Sequence, residues 1–201
     1  VLACNTASTL ALEETRAALA VPVIGVVPAV KPAAAMTRTG VIGLLATPAT
    51  VRRAYTDNLI RDHAAGVTVL RAGSADLVHL AEEVLAGAEP VHRRIAQALQ
   101  PVRDHPQGAQ MDALVLACTH FPLLAEALAA AAPGVRLIDS GEAVARRVIS
   151  VIRADQGAVV CDRAFVTGLA RAGDKAEAVF RAEGFAAVQR LSPDPPFVLE
   201  T

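Results

Sequence analysis

Aromatic residues and cysteine are scarce in this chain of 201 residues. It has no Trp, one Tyr and only 3% aromatic residues, so platforms that stack nucleic-acid bases are not expected. Its three cysteines are an odd number without a CxxC pair, which favours a reducing compartment over a disulfide scaffold. The cysteine usage therefore predicts a cytoplasmic protein.

The chain also has no large surplus of positive or negative residues and no long apolar run. Nineteen basic and twenty acidic residues give a formal net charge of -1, so a nucleic-acid partner held through its phosphates is not expected. The longest uncharged stretch, residues 17–30, contains Pro22 and Pro28. It is shorter than the roughly 18 apolar residues that a membrane-spanning helix needs. We expect neither a nucleic-acid partner nor a membrane partner.

Signals for a bound cofactor or metal ion are absent from the sequence as well. No histidine or cysteine pair has the HExxH or CxxC spacing of a metal site. The two lysines, Lys31 and Lys175, stand in no recognisable aldimine setting. A glycine-rich phosphate loop is also missing, because residues 40–43 (Gly-Val-Ile-Gly) lie inside a predicted strand. The sequence predicts no metal and no cofactor.

What the sequence does have is 53% hydrophobic residues and an alternation of short β-branched runs with segments of helical period. This alternation predicts a parallel α/β fold. Helices are expected to begin after Thr47-Pro48, after Ser74 and at residues 139–142 (Asp-Ser-Gly-Glu), where capping residues precede an apolar stripe. The predicted strands are residues 1–4, 23–27, 41–46, 67–70, 114–118, 135–138 and 159–166.

An internal repeat is the most informative feature of the chain. Residues 1–4, Val-Leu-Ala-Cys, recur letter for letter as residues 115–118. In both copies the cysteine stands where a predicted strand ends, and polar residues that include Thr lead into a helix. Ligands of open α/β sheets bind at this edge, where helix amino termini favour a thiolate. The repeat predicts a functional pair of thiols, Cys4 and Cys118.

Two thiols on opposite sides of one cleft fit a stereochemical inversion, in which one takes a proton from a carbon and the other donates a proton to the opposite face. The alternative for either cysteine alone is core packing, because free cysteine is among the most buried residue types. Cys161 lacks the strand-to-helix context, and we expect it to be structural. His120, two residues after Cys118, is placed to share a proton with that thiol.

The two cysteine motifs, residues 2–8 (Leu-Ala-Cys-Asn-Thr-Ala-Ser) and 116–124 (Leu-Ala-Cys-Thr-His-Phe-Pro-Leu-Leu), closely resemble those of the glutamate racemase family within the aspartate/glutamate racemase superfamily. Supporting matches are residues 22–26, 40–43, 47–50 and 137–140. The resemblance implies cofactor-independent interconversion of L- and D-glutamate, with glutamate as the small-molecule partner and peptidoglycan synthesis as the role. Homodimers are common in this family, and the resemblance carries that expectation to this chain.

By that resemblance the residues divide into acid/base and substrate-binding groups. The implied catalytic residues are Cys4, Cys118, His120 and Glu82. The implied substrate-binding residues are Asn5, Thr6, Thr47, Thr50 and Thr119. For Glu82 the alternative is that it forms, with Glu83, the solvated face of its helix. The family has Cys-Pro before that helix where this chain has Gly73-Ser74, and Tyr where this chain has Phe121.

The resemblance also implies two pseudo-symmetric lobes with mainly parallel sheets, flanked by helices, and an active site in the cleft between them. Lobe one is predicted to hold residues 1–27 and 139–201, and lobe two residues 28–138. The family's opening Asp-Ser-Gly strand and Pro-Tyr-Gly segment do not precede Val1, so the chain is expected to be shortened and to racemise glutamate poorly or not at all. The alternatives are a racemase for aspartate or another small amino acid, and a non-catalytic binding protein.

Overall fold

Four parallel strands form the larger of two sheets. The computed structural model describes residues 1–152, 163–166 and 173–190. Within these residues the strands are β1 (Val41–Ala46), β2 (Thr68–Gly73), β3 (Ala113–Ala117), β4 (Arg136–Ile138), β5 (Arg163–Val166) and β6 (Ala187–Arg190). The larger sheet has the order β2-β1-β3-β4, and β5 and β6 form a second sheet. Every strand pair is parallel, which confirms the predicted α/β class.

Helices lie before, between and after the strands. They are α1 (Asn5–Ala18), α2 (Val30–Met36), α3 (Pro48–Val51), α4 (Ala54–His63), α5 (Asp76–Leu85), α6 (His92–Arg103), α7 (Ala125–Ala131), α8 (Gly141–Val151) and α9 (Gly173–Ala182). Short 3-10 helices lie at Gly108–Gln110 and Phe121–Leu124. No helix of the described ranges is long and apolar enough to cross a membrane.

Both faces of the larger sheet are buried, which is why its central strands are apolar without interruption. In β1, Val41 and Leu45 belong to one core cluster, and Ile42 and Leu44 belong to the other. This division follows from the alternation of side chains along a strand. Apolar residues of α5, α6 and α7 complete the first cluster, and those of α2 and α4 complete the second. Helices on both faces are what a parallel sheet requires.

The strand order places a crevice at the carboxyl ends of β1 and β3. The chain leaves β1 for β2 on one side, whereas the path from β3 to β4 runs to the other side. Right-handed crossovers then put the connecting helices on opposite faces, and ligands bind in open α/β sheets where the direction reverses. Thr47 directly follows β1, and Cys118 directly follows β3. The topology therefore brings two of the predicted site residues to one edge of the sheet.

Two of the predicted helix starts are capped as expected. The Thr47 hydroxyl accepts a hydrogen bond from the Thr50 N–H at 3.3 Å, with Pro48 in the first turn. The Ser74 hydroxyl accepts from the Leu77 N–H at 3.1 Å. At α8 the predicted start is confirmed, but the predicted side-chain cap is wrong. The Ser140 hydroxyl donates to the Val27 carbonyl at 2.5 Å and does not cap the helix.

Two predicted strands are wrong. Residues 1–4 and 23–27 pair with each other only at a single parallel bridge, Leu2 with Gly25. A ladder needs consecutive bridges, and no other described strand pairs with either segment. The predicted strand at 159–166 is observed at Arg163–Val166, with residues 159–162 and Cys161 outside the described residues. The strand β6 was not predicted.

The described chain divides into two compact units. One contains Val1–Val84 and Glu89–Ile152, and the other contains Leu85–Ala88 and the part of the chain after Ile152. The larger unit holds the four-stranded sheet, and the smaller holds β5, α9 and β6. All residues of the candidate site belong to the larger unit. The lobe boundaries expected after residues 27 and 138 stay a prediction.

Candidate functional site

The second cysteine motif forms a tight turn at the end of β3. Cys118 is 8% exposed, and its carbonyl accepts a hydrogen bond from the Phe121 N–H at 3.1 Å. This turn directs the His120 ring back toward the thiol, so that Nδ1 lies 3.8 Å from Cys118 Sγ. The Phe121 ring, which is fully buried, anchors the turn in the core. The arrangement pairs a nucleophilic atom with a titratable ring.

The other ring nitrogen of His120 faces α5. His120 Nε2 lies 2.7 Å from Glu82 Oε1, because the apolar stripe of α5 is buried and leaves Glu82 on the side of the turn. The contact with Cys118 raises the pKa of His120, burial lowers it, and the hydrogen bond to Glu82 raises it again, which gives a value of about 9. A protonated imidazole is thus favoured between the thiol and the carboxylate near neutral pH.

The two adjacent carboxylates of α5 have different surroundings. Glu83 Oε2 accepts a hydrogen bond from Arg94 of α6 at 2.6 Å, whereas Glu82 meets His120. The side chains are about equally exposed, 52% at Glu82 and 50% at Glu83, so the two residues differ in their partner and not in their burial. The role of Glu82 in chemistry stays a prediction.

The first cysteine motif forms the start of α1. Cys4 is the N-cap residue of this helix, and its exposed thiol accepts a hydrogen bond from the Ala7 N–H at 3.4 Å. The buried Ser8 hydroxyl donates to the Leu2 carbonyl at 3.1 Å and accepts from the Val26 N–H at 3.0 Å. Through these two hydrogen bonds Ser8 connects the residue before the Ala3-Cys4 pair, Leu2, with Val26 in the segment alongside it.

Three threonine hydroxyls meet where α1 and α3 begin. Thr6 Oγ1 lies 3.2 Å from Thr47 Oγ1 and 2.9 Å from Thr50 Oγ1, and the last two are 3.1 Å apart. Because each hydroxyl both donates and accepts, this threonine cluster rearranges its hydrogen bonds without a change of charge. The buried Thr56 hydroxyl donates to the Thr50 carbonyl at 2.7 Å and holds α3 in place.

The remaining two predicted residues, Asn5 and Thr119, directly follow the two cysteines. Thr119 Oγ1 donates to the Ala3 carbonyl at 3.3 Å, which joins the second turn to the first. Asn5 is 3% exposed, and within the described residues its Oδ1 has no hydrogen-bond partner. A buried acceptor without a partner is costly and is typical of a functional site.

The structure thus brings the predicted residues into two connected groups. The group at Cys118 contains His120 and Glu82, and the group at Cys4 contains the threonine cluster. Sequence reasoning missed Ser8 and Thr56, whose buried hydroxyls support the site. The sequence shows them only as polar residues within predicted helices, and their burial becomes visible in the structure. No three His, Cys, Asp or Glu side chains in the described part of the chain stand together as metal ligands would.

The described residues combine a parallel α/β sheet with two cysteines, one directly after β3 at the carboxyl edge of the sheet and one at the N-cap of α1. The family model for Asp/Glu/Hydantoin racemases matches residues 1–148. The chain therefore belongs to the Asp/Glu/Hydantoin racemase family.

Known glutamate racemases are similar to this chain in sequence. The enzyme of Sphingopyxis alaskensis is 54% identical over 149 residues, which are 74% of this chain and 56% of the relative. The enzyme of Pectobacterium carotovorum is 52% identical over 153 residues, 76% of this chain and 53% of the relative. The chain spans about half the length of these curated relatives.

A solved structure extends the similarity to the fold. Escherichia coli glutamate racemase, in complex with L-glutamate and the activator UDP-MurNAc-Ala, matches with a TM-score of 0.86 and 39% identity. The match covers 94% of this chain and 72% of that one. The predicted resemblance to glutamate racemases is confirmed.

Proposed function

We propose that this chain carries the two acid/base thiols of a cofactor-independent glutamate racemase. The observation that supports the proposal best is the line of contacts from Cys118 through His120 to Glu82. It lies at the carboxyl edge of the sheet, beside a second cysteine turn joined to it by Thr119. The sequence similarity to glutamate racemases of several bacteria supports the substrate.

In the proposed reaction one cysteine acts as a thiolate and the other as a thiol. The thiolate takes the proton from the α-carbon of glutamate, and the thiol donates its proton to the opposite face of the same carbon. The product has inverted configuration, and the two sulfur atoms have exchanged protonation states, so the enzyme is ready for the reverse direction. Both L- and D-glutamate are therefore substrates of the same site.

His120 and Glu82 have the proposed task of controlling the protonation of Cys118. A protonated imidazole 3.8 Å from the sulfur stabilises the thiolate by charge. Glu82 stabilises the imidazolium in turn, because its carboxylate lies 2.7 Å from Nε2. Burial of Cys118 strengthens these interactions, since water screens them less at a buried atom.

The proposed substrate-binding groups are neutral. Asn5 offers a buried amide oxygen that still lacks a donor, which suits the ammonium group of an amino acid. The hydroxyls of Thr6, Thr47, Thr50 and Thr119 are suited to a carboxylate, together with N–H groups at the helix starts. We extend the proposal to a cytoplasmic enzyme, a possible homodimer, that supplies D-glutamate for peptidoglycan.

The test is racemisation of D-glutamate and D-aspartate followed by polarimetry without added cofactor. Both the 201-residue chain and the longest reading frame that contains it are assayed. We expect glutamate to lose optical activity in at least one of the two proteins. Cys4→Ser and Cys118→Ser should each lower the rate by at least about 100-fold, because each removes one acid/base group.

Cys161→Ser is the matched control, since we expect this third cysteine to be structural, and it should retain the rate. Turnover that survives either of the other serine changes would contradict the two-thiol mechanism. Faster turnover of aspartate than glutamate would overturn the substrate. Inactivity of both proteins, with amino-acid binding that survives loss of both thiols, would favour a binding protein.

A further inference from the structure

One arginine contacts α5 at two places that lie two helical turns apart. From α6, Arg94 Nε and Nη2 each donate to the Asp76 carboxylate at 2.8 Å, and Nη2 also donates to the Asp76 carbonyl at 3.1 Å. Arg94 Nη1 donates to Glu83 Oε2 at 2.6 Å. Asp76 and Glu83 are seven residues apart, so they lie on the same side of the helix.

These contacts are well defined for a surface cluster. The Arg94 side chain is 20% exposed, and its planar guanidinium forms a two-point contact with one carboxylate while it reaches another. The hydrogen bonds from Arg94 lower the pKa of Asp76. The same hydrogen bonds, which Asp76 and Glu83 accept, raise the pKa of Arg94 above its ordinary value. We call Arg94, Asp76 and Glu83 the α5 clamp.

The clamp has a consequence for the neighbouring residue. Successive side chains of a helix point about 100° apart, so a helix rotation that frees Glu83 also moves Glu82. In the clamp the Glu83 carboxylate accepts a hydrogen bond from Arg94 of α6, and the Glu82 carboxylate faces His120. Contacts to His120 from ionisable groups come from Cys118 in its own turn and from Glu82 on α5.

We infer that Arg94 is a positioning residue for the His120–Glu82 pair, because by holding Asp76 and Glu83 it secures, together with the buried apolar side of α5, the rotation at which the Glu82 carboxylate meets Nε2. Any effect of Arg94 on catalysis depends on the proposed function. The positioning itself does not depend on that function, since it concerns two side chains of the folded chain.

The direction in which the pKa of His120 changes when Arg94 is replaced distinguishes positioning of Glu82 from a direct effect of the arginine's charge. Removing a nearby cation raises the pKa of an imidazole, because a like charge that disfavoured the protonated form is gone. Removing a group that keeps Glu82 in place has the opposite effect, because the imidazolium loses its partner. Arg94→Met should therefore lower the pKa of His120 if Arg94 acts through Glu82.

The experiment is an NMR titration of the histidine rings in the 201-residue chain, with the His120 signals assigned from the His120→Gln spectrum. We expect Arg94→Met to lower the pKa of His120 by about one unit, and Glu82→Gln to lower it further. In the Glu82→Gln background, Arg94→Met should cause no additional fall. Arg93→Met is the matched control, because it removes an exposed arginine from the same helix.

Two further variants serve if Arg94→Met does not fold, which circular dichroism reports. Asp76→Asn and Glu83→Gln each break one half of the α5 clamp, and each should lower the pKa of His120 by a smaller amount. Because loss of a carboxylate lowers the pKa of an imidazole by charge alone, the deciding measurement for these variants is the Glu82→Gln background, in which neither should cause a further fall. An unchanged or raised pKa in the clamp variants would overturn the inference, and so would an equal fall in the Glu82→Gln background. Inactivity of both the 201-residue chain and the longest reading frame that contains it, with the expected pKa pattern, would contradict the proposed function alone.

Discussion

The two cysteine turns share the four letters Val-Leu-Ala-Cys and differ at both positions that follow, of which the second has the greater effect on the surroundings of the thiol. In the first turn that position is Thr6, which joins a cluster of neutral hydroxyls. In the second turn it is His120, which lies between a thiol and a carboxylate. The backbones also differ, because Cys4 directly caps an α-helix whereas Cys118 begins a turn that leads into a 3-10 helix. The same four letters thus precede neutral hydroxyls in one motif and an ionic pair in the other, so the residues after the cysteine determine the chemistry around each thiol.

The turns also differ in how they are anchored. The second turn is fixed by an apolar ring, since Phe121 is fully buried in the core cluster that includes Cys118. The first turn is fixed by hydrogen bonds of the Ser8 hydroxyl. Because burial of a large ring contributes more free energy than one hydroxyl, the second turn should be the more resistant of the two to substitution elsewhere and the more sensitive to loss of its anchor.

Phe121→Ala should have the largest effect on stability. It removes a buried ring and leaves a cavity, so we expect the free energy of unfolding to fall by about 3–5 kcal/mol. Urea denaturation followed by circular dichroism measures this change. Leu123→Ala is the control, because Leu123 lies in the same 3-10 helix but is 45% exposed, and it should change stability by about 0.5 kcal/mol or less. Equal effects of the two would show that the turn is not anchored by Phe121.

Ser8→Ala should come next, with a loss of about 1–3 kcal/mol in the same assay. The change removes the acceptor of the Val26 N–H and the donor to the Leu2 carbonyl inside a buried region. A Cβ atom at position 25 would lie 2.7 Å from a methyl group of Leu12 and 3.2 Å from the Ser8 hydroxyl, so Gly25 permits the close packing of these residues. Ser150→Ala on the exposed side of α8 is the matched control and should leave stability unchanged or slightly raised. A loss as small as in the control would show that the first turn has another anchor.

Much of the fold could be predicted, because its signals are local. The β-branched runs of β1 and β3 and the caps at Thr47 and Ser74 are read from a few neighbouring residues. The failures at residues 1–4 and 23–27 have a non-local cause, since an apolar run becomes a strand only where consecutive bridges form. The same limit applies to β6, which depends on pairing with β5.

For the candidate site, the residues and the pairing of His120 with Cys118 could be predicted from the sequence, but the other contacts could not. The repeat identified Cys4 and Cys118 from the residues themselves, and the resemblance added Glu82. That Glu82 rather than Glu83 meets His120 depends on the rotation of α5, which is set by packing and by Arg94 from another helix. No spacing within α5 carries that information.

The third prediction concerns pH and the ionic second turn. The pKa of His120 is raised to about 9 in the folded chain, against about 6.5 for an unperturbed histidine. The folded state therefore binds the proton more tightly, and the resulting stability is fully present below pH 6.5 and is lost as the pH rises through about 9. Since the side chain is 34% exposed, solvent screening reduces the contribution to about 1–2 kcal/mol.

This pH dependence is measured by comparing urea denaturation of the parent chain and His120→Gln at pH 6 and pH 9.5. The stability difference between the two proteins should be larger at pH 6 and shrink at pH 9.5. The matched control is His92→Gln, which changes an exposed histidine of α6 and should give a difference that varies little with pH. A difference that grows with pH would contradict the raised pKa.

The smallest effect is expected at Thr119, and it decides whether the two turns act as one unit. Its exposed hydroxyl donates to the Ala3 carbonyl at 3.3 Å, so Thr119→Ala should lower stability by about 0.5 kcal/mol, while Thr119→Ser should restore the parent value. If this hydrogen bond only bridges two separately anchored turns, the losses in Thr119→Ala and Ser8→Ala add to within about 0.5 kcal/mol in the double variant. A larger departure from additivity would show that anchoring of the first turn is felt in the second. The surroundings of Cys4 and of Cys118 would then be coupled through the backbone at Ala3, and the two turns would not be independent of each other.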